Sequence, residues 1–212
     1  MKIIRAYLLF TSWRYKLGIF FGLPAAVLAG GLIWRHSNMI YVFSYLMITG
    51  IIFVETMGDY GIFNGIHSKR GYKLDFLKTS PVGQGILFQG LCGDLARRLL
   101  TAAVCIGGGW AAKVLTVESG LAGCLGMVLA VYFAEVLGLY ISRFTRSVVL
   151  CVFITYGCIG VGMILHVLVN SISAPGLWVA DGLLALAAAA MSLLVVGTGM
   201  KKWRKTYSDL QE

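Results

Sequence analysis

The sequence predicts an all-α integral membrane protein, one polytopic domain over residues 1–212 with six transmembrane helices. The first reason is composition: 58% of the residues are hydrophobic and only 13% charged, about half the charged share of a typical soluble domain. So few charges could not cover a water-soluble surface, and the mean hydropathy of +0.83 points the same way. The second reason is run length, because apolar segments here approach or exceed the roughly 20 residues a helix needs to cross a bilayer. The third is that the basic residues fall almost entirely on one side of those segments.

The six segments are 17–34, 40–64, 95–112, 120–142, 147–166 and 177–199. Lys2 and Arg5 before an apolar run suggest a secretory signal, but the run from Leu17 to Trp34 is too long and further spans follow it, so it is read as a retained first span. Pro24 should kink this span, since a proline inside a helix removes a hydrogen bond. Gly18, Gly22, Ala26 and Gly30 repeat every fourth residue in the first span, as do Gly126, Ala130, Ala134, Gly138 and Ser142 in the fourth. Small residues at this spacing let helices approach closely in lipid.

Orientation follows from Lys and Arg. The N-terminus, the connector and start of the third span (Lys69, Arg70, Lys73, Lys78, Arg97, Arg98), Arg143 with Arg146, and the tail (Lys201, Lys202, Arg204, Lys205) share one side. Only Arg35 and Lys113 lie opposite. That asymmetry marks the basic side as cytoplasmic, with both termini there. The net charge of +9 is thereby a consequence of topology, and a nucleic-acid partner is not expected. Membrane lipid is the expected surround, in the cell membrane. Trp203 among the tail cations of residues 200–212 reads as an interfacial anchor. The segment 1–16 can form an amphipathic helix on the membrane surface, or a plain basic flank.

Motifs for chemistry are sparse. GxxxxGK[ST], HExxH and GxSxG do not occur, so no nucleotide cradle or familiar hydrolase site is expected. The triple glycine at 107–109 is read as loosening a helix end. His36, His67 and His166 fall in different places, and the five cysteines form no CxxC pair. No catalytic residue and no metal site is therefore expected, and the cysteines read as small packing residues.

The intramembrane acids stand out. Glu55 and Asp59 are four residues apart on one face of the second span, and Glu135 lies at a similar depth in the fourth. An ionisable group in hydrocarbon is costly and usually faces a bundle interior or wet cavity. Asp59 sits where Arg97 or Arg98 could pair with it. Glu55 and Glu135 can be buried struts or residues of a translocation pathway. Asp181 and His166, toward the outer side, suggest a local polar contact. The connector over residues 65–94 carries a short amphipathic stretch, with Tyr72, Phe76 and Leu77 on its apolar face and Lys73, Asp75 and Lys78 beside it. Ser80-Pro81 ends it. Such a helix can dock a partner or lie on the membrane. A second amphipathic stretch, 86–98, leads into the third span.

A basic amphipathic start, two spans, a loop reading Lys69-Arg70-Gly71 and then Phe76-Leu77-Lys78-Thr79-Ser80-Pro81-Val82, and four more spans resemble the permease subunits of type-2 ATP-binding-cassette transporters. In that family the loop between the second and third spans commonly ends in Ser-Pro-Val or Leu-Pro-Val. The layout covers almost the whole chain, while the motif itself is short. Two departures are visible. Many members carry an acidic residue before the loop glycine, where Lys69 and Arg70 stand here, and the outer connector 167–176 leaves little room for a re-entrant hairpin.

The resemblance implies a cytoplasmic coupling helix in the 65–94 loop, with Lys69, Arg70, Tyr72, Lys73, Asp75, Phe76, Leu77, Lys78 and Pro81 serving contact with a separate ATPase subunit. It implies that residues 1–16 form an elbow helix. It further implies a second permease chain, identical or paralogous, and a pathway lined largely by spans two and five, near Glu55 and Asp59. The chain itself would bind no cofactor, with ATP and magnesium held by the partner ATPase, and would not be an enzyme by itself. The expected function is then a permease subunit of an exporter for a peptide, lipid-like or amphiphilic substrate. Two rivals stand beside it: a substrate-binding membrane subunit of an importer with a shared ATPase module, and an intramembrane enzyme using Glu55, Asp59 and Glu135.

Overall fold

The computed structural model describes residues 17–34, 40–67, 82–115, 117, 120–142, 147–172 and 174–208. These residues form six α-helices and no strand: α1 Leu23–Trp34, α2 Ile40–His67, α3 Gly83–Ala111, α4 Gly120–Ser142, α5 Val148–Ser171 and α6 Ala174–Ser208. The apolar stretches Gly120–Ile141, Val148–Val169 and Gly176–Lys201 of α4, α5 and α6 are each long and apolar enough to cross a membrane. The chain is a helical membrane protein. Gly18–Trp34 and Val42–Gly58 are apolar but shorter.

α4 is the central helix. It packs against α2, α3, α5 and α6, and 67% of its apolar stretch is buried, against 28% for α5 and 17% for α6. The small residues at every fourth position of α4 explain how it can do this. A Cβ built on Gly126 would lie 2.6 Å from Asp181 Oδ1 and 2.7 Å from Val169 Cγ1, and one on Gly138 would lie 3.0 Å from Thr56 Oγ1. Ala130 and Ala134 between them are buried. The matching repeat in the first span works only in part: Gly30 meets Phe43, whereas Gly18 has open space around it.

The outward faces are what lipid requires. Val148, Val149, Phe153, Ile164 and Leu168 on α5 and Trp178, Val179, Leu183, Leu186 and Leu193 on α6 are exposed. Several hydroxyls in the helices close back on the preceding turn, as in Thr155 to the Cys151 carbonyl at 2.8 Å and Ser192 to the Ala188 carbonyl at 2.8 Å. This satisfies them without a neighbouring chain. All five cysteines are free, four of them buried, in keeping with a packing role.

Pro24 acts one turn earlier than its own position. Residues Gly18–Gly22 are wound as a π-helix, with the Leu23 amide donating to the Gly18 carbonyl. The wider turn relieves the contact between a proline ring and the carbonyl four residues before it.

The third helix corrects the sequence reading. It does not begin at residue 95 but runs unbroken from Gly83, so the amphipathic stretch 86–98 and the apolar span are one helix. Leu87, Leu91 and Leu95 are buried along it at helical spacing, which hydropathy averaging obscures because polar residues alternate with them. Its far end is also better defined than a loosened glycine run. The Lys113 amide donates to the Trp110 carbonyl and the Val114 amide to the Gly109 carbonyl, both at 2.9 Å, with Lys113 at φ 55°. This is a Schellman cap carrying lysine at the left-handed position. Gly109 is needed for the reversal: a Cβ there would lie 2.5 Å from Leu115 Cδ1.

Candidate functional site

α3 sets out Asp94, Arg97 and Arg98 at positions i, i+3 and i+4, hence on one face of one helix. That face meets Glu55 of α2. Arg97 Nη1 donates to Glu55 Oε1 at 2.6 Å and Arg97 Nη2 to Oε2 at 2.5 Å, a two-pronged guanidinium–carboxylate pair. Arg97 Nη2 also reaches Asp94 Oδ1 at 3.3 Å. Arg98 Nε donates to Asp94 Oδ2 at 3.1 Å, and Arg98 Nη1 to the Glu55 backbone carbonyl at 3.2 Å, while lying 3.1 Å from Glu55 Oε2. Among the described residues, two acids therefore face two bases. All four residues are buried, Glu55 and Arg98 completely.

Glu55, Arg97 and Glu135 form a layer at one depth, with Arg98 and Asp94 beside them on α3. Glu55 is as far along α2 from its start at Ile40 as Glu135 is along α4 from its start at Gly120, and Arg97 stands nearly as far from the end of α3 at Ala111. At a rise of roughly 1.5 Å per residue, all three lie about 21–22 Å from that end of the bundle. Between the layer and that end sits the main apolar core, including Ile48, Ile51 and Ile52 of α2, Ala102 and Ile106 of α3, and Met127 and Val131 of α4. A second cluster joins Leu95, Val136 and Leu139 to Ala188 and Val195 of α6. The charges are thus enclosed in apolar packing, where breaking one partner leaves an uncompensated ion.

Glu135 is different from the other acids. It is fully buried, close enough to feel the charges of Glu55, Arg98, Arg97 and Asp94, yet neither carboxyl oxygen has a hydrogen-bond partner among the described residues. The Thr56 hydroxyl, next to Glu55 in the chain, is likewise buried without a partner among them. It faces Gly138, three residues beyond Glu135 on α4. Tyr132, three residues before Glu135, holds Ser192 of α6 at 2.9 Å.

The structure brings Glu55 and Glu135 to one layer and ties only Glu55 to the arginines. Asp59 lies in α2, but its side chain is outside the described residues. Arg97 and Arg98, read from the sequence as part of a cytoplasmic basic flank, are buried within the bundle, where Glu55 and Asp94 engage them; the expected pairing of Asp59 with Arg97 or Arg98 falls on a side chain outside the described residues. Sequence reasoning does not single out Asp94; the signal that could have found it is the Asp94-x-x-Arg97-Arg98 spacing itself. His166 packs edge-on to the Tyr45 ring, centroids 5.5 Å apart at 78°. Asp181 is buried beside Gly126 with neither oxygen hydrogen-bonded among the described residues, so it does not hydrogen-bond to His166. Lys69, Arg70, Tyr72, Lys73, Asp75, Phe76, Leu77, Lys78 and Pro81 lie outside the described residues, as do residues 1–16 and 209–212.

Among the described residues no group of three His, Cys, Asp or Glu side chains is placed to hold a metal ion. No family model, curated protein or solved structure matches the chain.

Proposed function

We propose that this chain is the membrane-spanning permease subunit of an ATP-driven exporter, working beside a second permease chain and with a separate ATPase subunit on its cytoplasmic side. The observation that carries the reading is the charged layer. Five ionisable side chains, on three adjacent helices, are kept inside an apolar bundle at considerable cost, and such residues mark membrane proteins that move or switch something. The loop residues Phe76-Leu77-Lys78-Thr79-Ser80-Pro81-Val82 support the choice of an ATPase as the driver. With Arg97 and Arg98 accounted for inside the bundle, the remaining cations still favour one side, which supports cytoplasmic termini in a cell-membrane protein whose six helices are six spans. In this reading the ATPase closes on ATP and magnesium, and residues Lys69–Pro81 pass the movement into α2 and α3, the two helices joined by the Arg97–Glu55 pair. The substrate class is a peptide, a lipid-like molecule or another amphiphile.

The test is co-purification. The chain is co-expressed with candidate ATPase subunits from the same genome, as wild type and as the Phe76→Ala/Leu77→Ala variant. The ATPase should co-purify with the wild type and be released by the double change at equal membrane insertion. A wild-type chain that captures no ATPase would overturn the reading.

A further inference from the structure

Among the described residues, the charged layer contains one more acid than its bases can match. Glu55 and Asp94 both bond to the two arginines, Glu55 to Arg97 and Asp94 to Arg97 and Arg98. Glu135 is completely buried, carries no hydrogen bond among the described residues, and lies within the field of all four. A second buried polar group without a partner among them, the Thr56 hydroxyl, lies on the α2 face that meets α4 close by. We propose that Glu135 is a proton-binding site linked to the Arg97–Glu55 pair.

The linkage follows from charge. With the proton on, Glu135 is neutral and leaves Glu55 and Asp94 to hold the two guanidiniums. With the proton off, a further negative charge competes with Glu55 and Asp94 for those guanidiniums, and a guanidinium drawn toward Glu135 loosens the contact between α2 and α3. The proton comes from the aqueous phase and returns to it, and no other reactant is needed. The charged and titratable groups within electrostatic reach of Glu135 are Glu55 on α2, Asp94, Arg97, Arg98 and Cys105 on α3, and Tyr132 on α4 itself; the Cys158 thiol of α5 lies beside Gly138, and α6 contributes the Ser192 hydroxyl through Tyr132. A metal cation is the poorer occupant, because two guanidiniums lie in the same field and no three ligating side chains converge among the described residues. The geometry of the layer carries this assignment whether or not the bundle is a transporter.

The experiment is infrared difference spectroscopy of the full-length protein in lipid nanodiscs, cycled between acidic and alkaline buffer. The wild type should show a protonated-carboxyl C=O band that bleaches at high pH, together with a change in guanidinium bands. Glu135→Gln should lose both. Glu135→Asp, which keeps a carboxyl if the amide variant folds poorly, should retain the carboxyl band at a shifted frequency. Sodium added at constant pH should leave the spectrum unchanged. The proposal fails if the wild type has no such band, if the band survives in Glu135→Gln, or if sodium replaces the proton.

Discussion

Arg97 holds Glu55 through both terminal nitrogens, at 2.6 and 2.5 Å, although the two residues are 42 positions apart in the chain. The pair locks α2 to α3 in the middle of an apolar bundle. Removing one member alone leaves a buried ion without its counter-charge. Glu55→Gln and Arg97→Ala should each lower stability by about 3–5 kcal/mol, read as the midpoint of detergent-induced unfolding. The apolar double change Glu55→Leu/Arg97→Met should be closer to wild type than either single change. Additive losses would mean the pair is not coupled.

Arg97→Lys keeps the charge but cannot reproduce the two-pronged contact. It should cost about 1–2 kcal/mol, roughly one hydrogen bond to a charged group, and fall between wild type and Arg97→Ala in the same unfolding assay.

The glycines of α4 and α5 should separate cleanly. Gly126→Ala drives a methyl into Asp181 and Val169 and should destabilise by about 1–3 kcal/mol. Gly157→Ala on α5 meets nothing within 4 Å and should be neutral or stabilising by about 0.5–1 kcal/mol through helix propensity. Thermal unfolding of the two variants side by side checks both signs.

Lys113 occupies a left-handed backbone position that costs a residue with a side chain about 1–2 kcal/mol. Lys113→Gly should raise the melting temperature while leaving insertion unchanged, and Lys113→Val should lower it.

Much of the helical layout is legible in the sequence. Segment 120–142 coincides with α4, and segments 17–34 and 40–64 begin and end within a few residues of the helices found, because long apolar runs mark their own limits. The start of α3 is not legible. Gly83–Asp94 is helical through the buried spacing of Leu87, Leu91 and Leu95, while Gln84, Gln89 and Asp94 dilute its hydropathy. The candidate site is half legible. Glu55 and Glu135 stand out as acids in apolar runs, and equal distances from their helix starts place them at one depth. Arg97 and Arg98 read as a basic flank near a span end, and only a tertiary partner such as Glu55 shows that they are buried within the bundle. That Glu135 remains without a hydrogen bond among the described residues is a property of packing, which no spacing rule conveys.

The most direct measurement is ATP hydrolysis by a candidate ATPase subunit from the same genome, reconstituted in liposomes with and without this chain. The wild-type chain should change the hydrolysis rate several-fold, and Phe76→Ala/Leu77→Ala should return the rate to that of the ATPase alone. A rate indifferent to the presence of the wild-type chain would contradict the assignment of this bundle as an ATPase-driven permease.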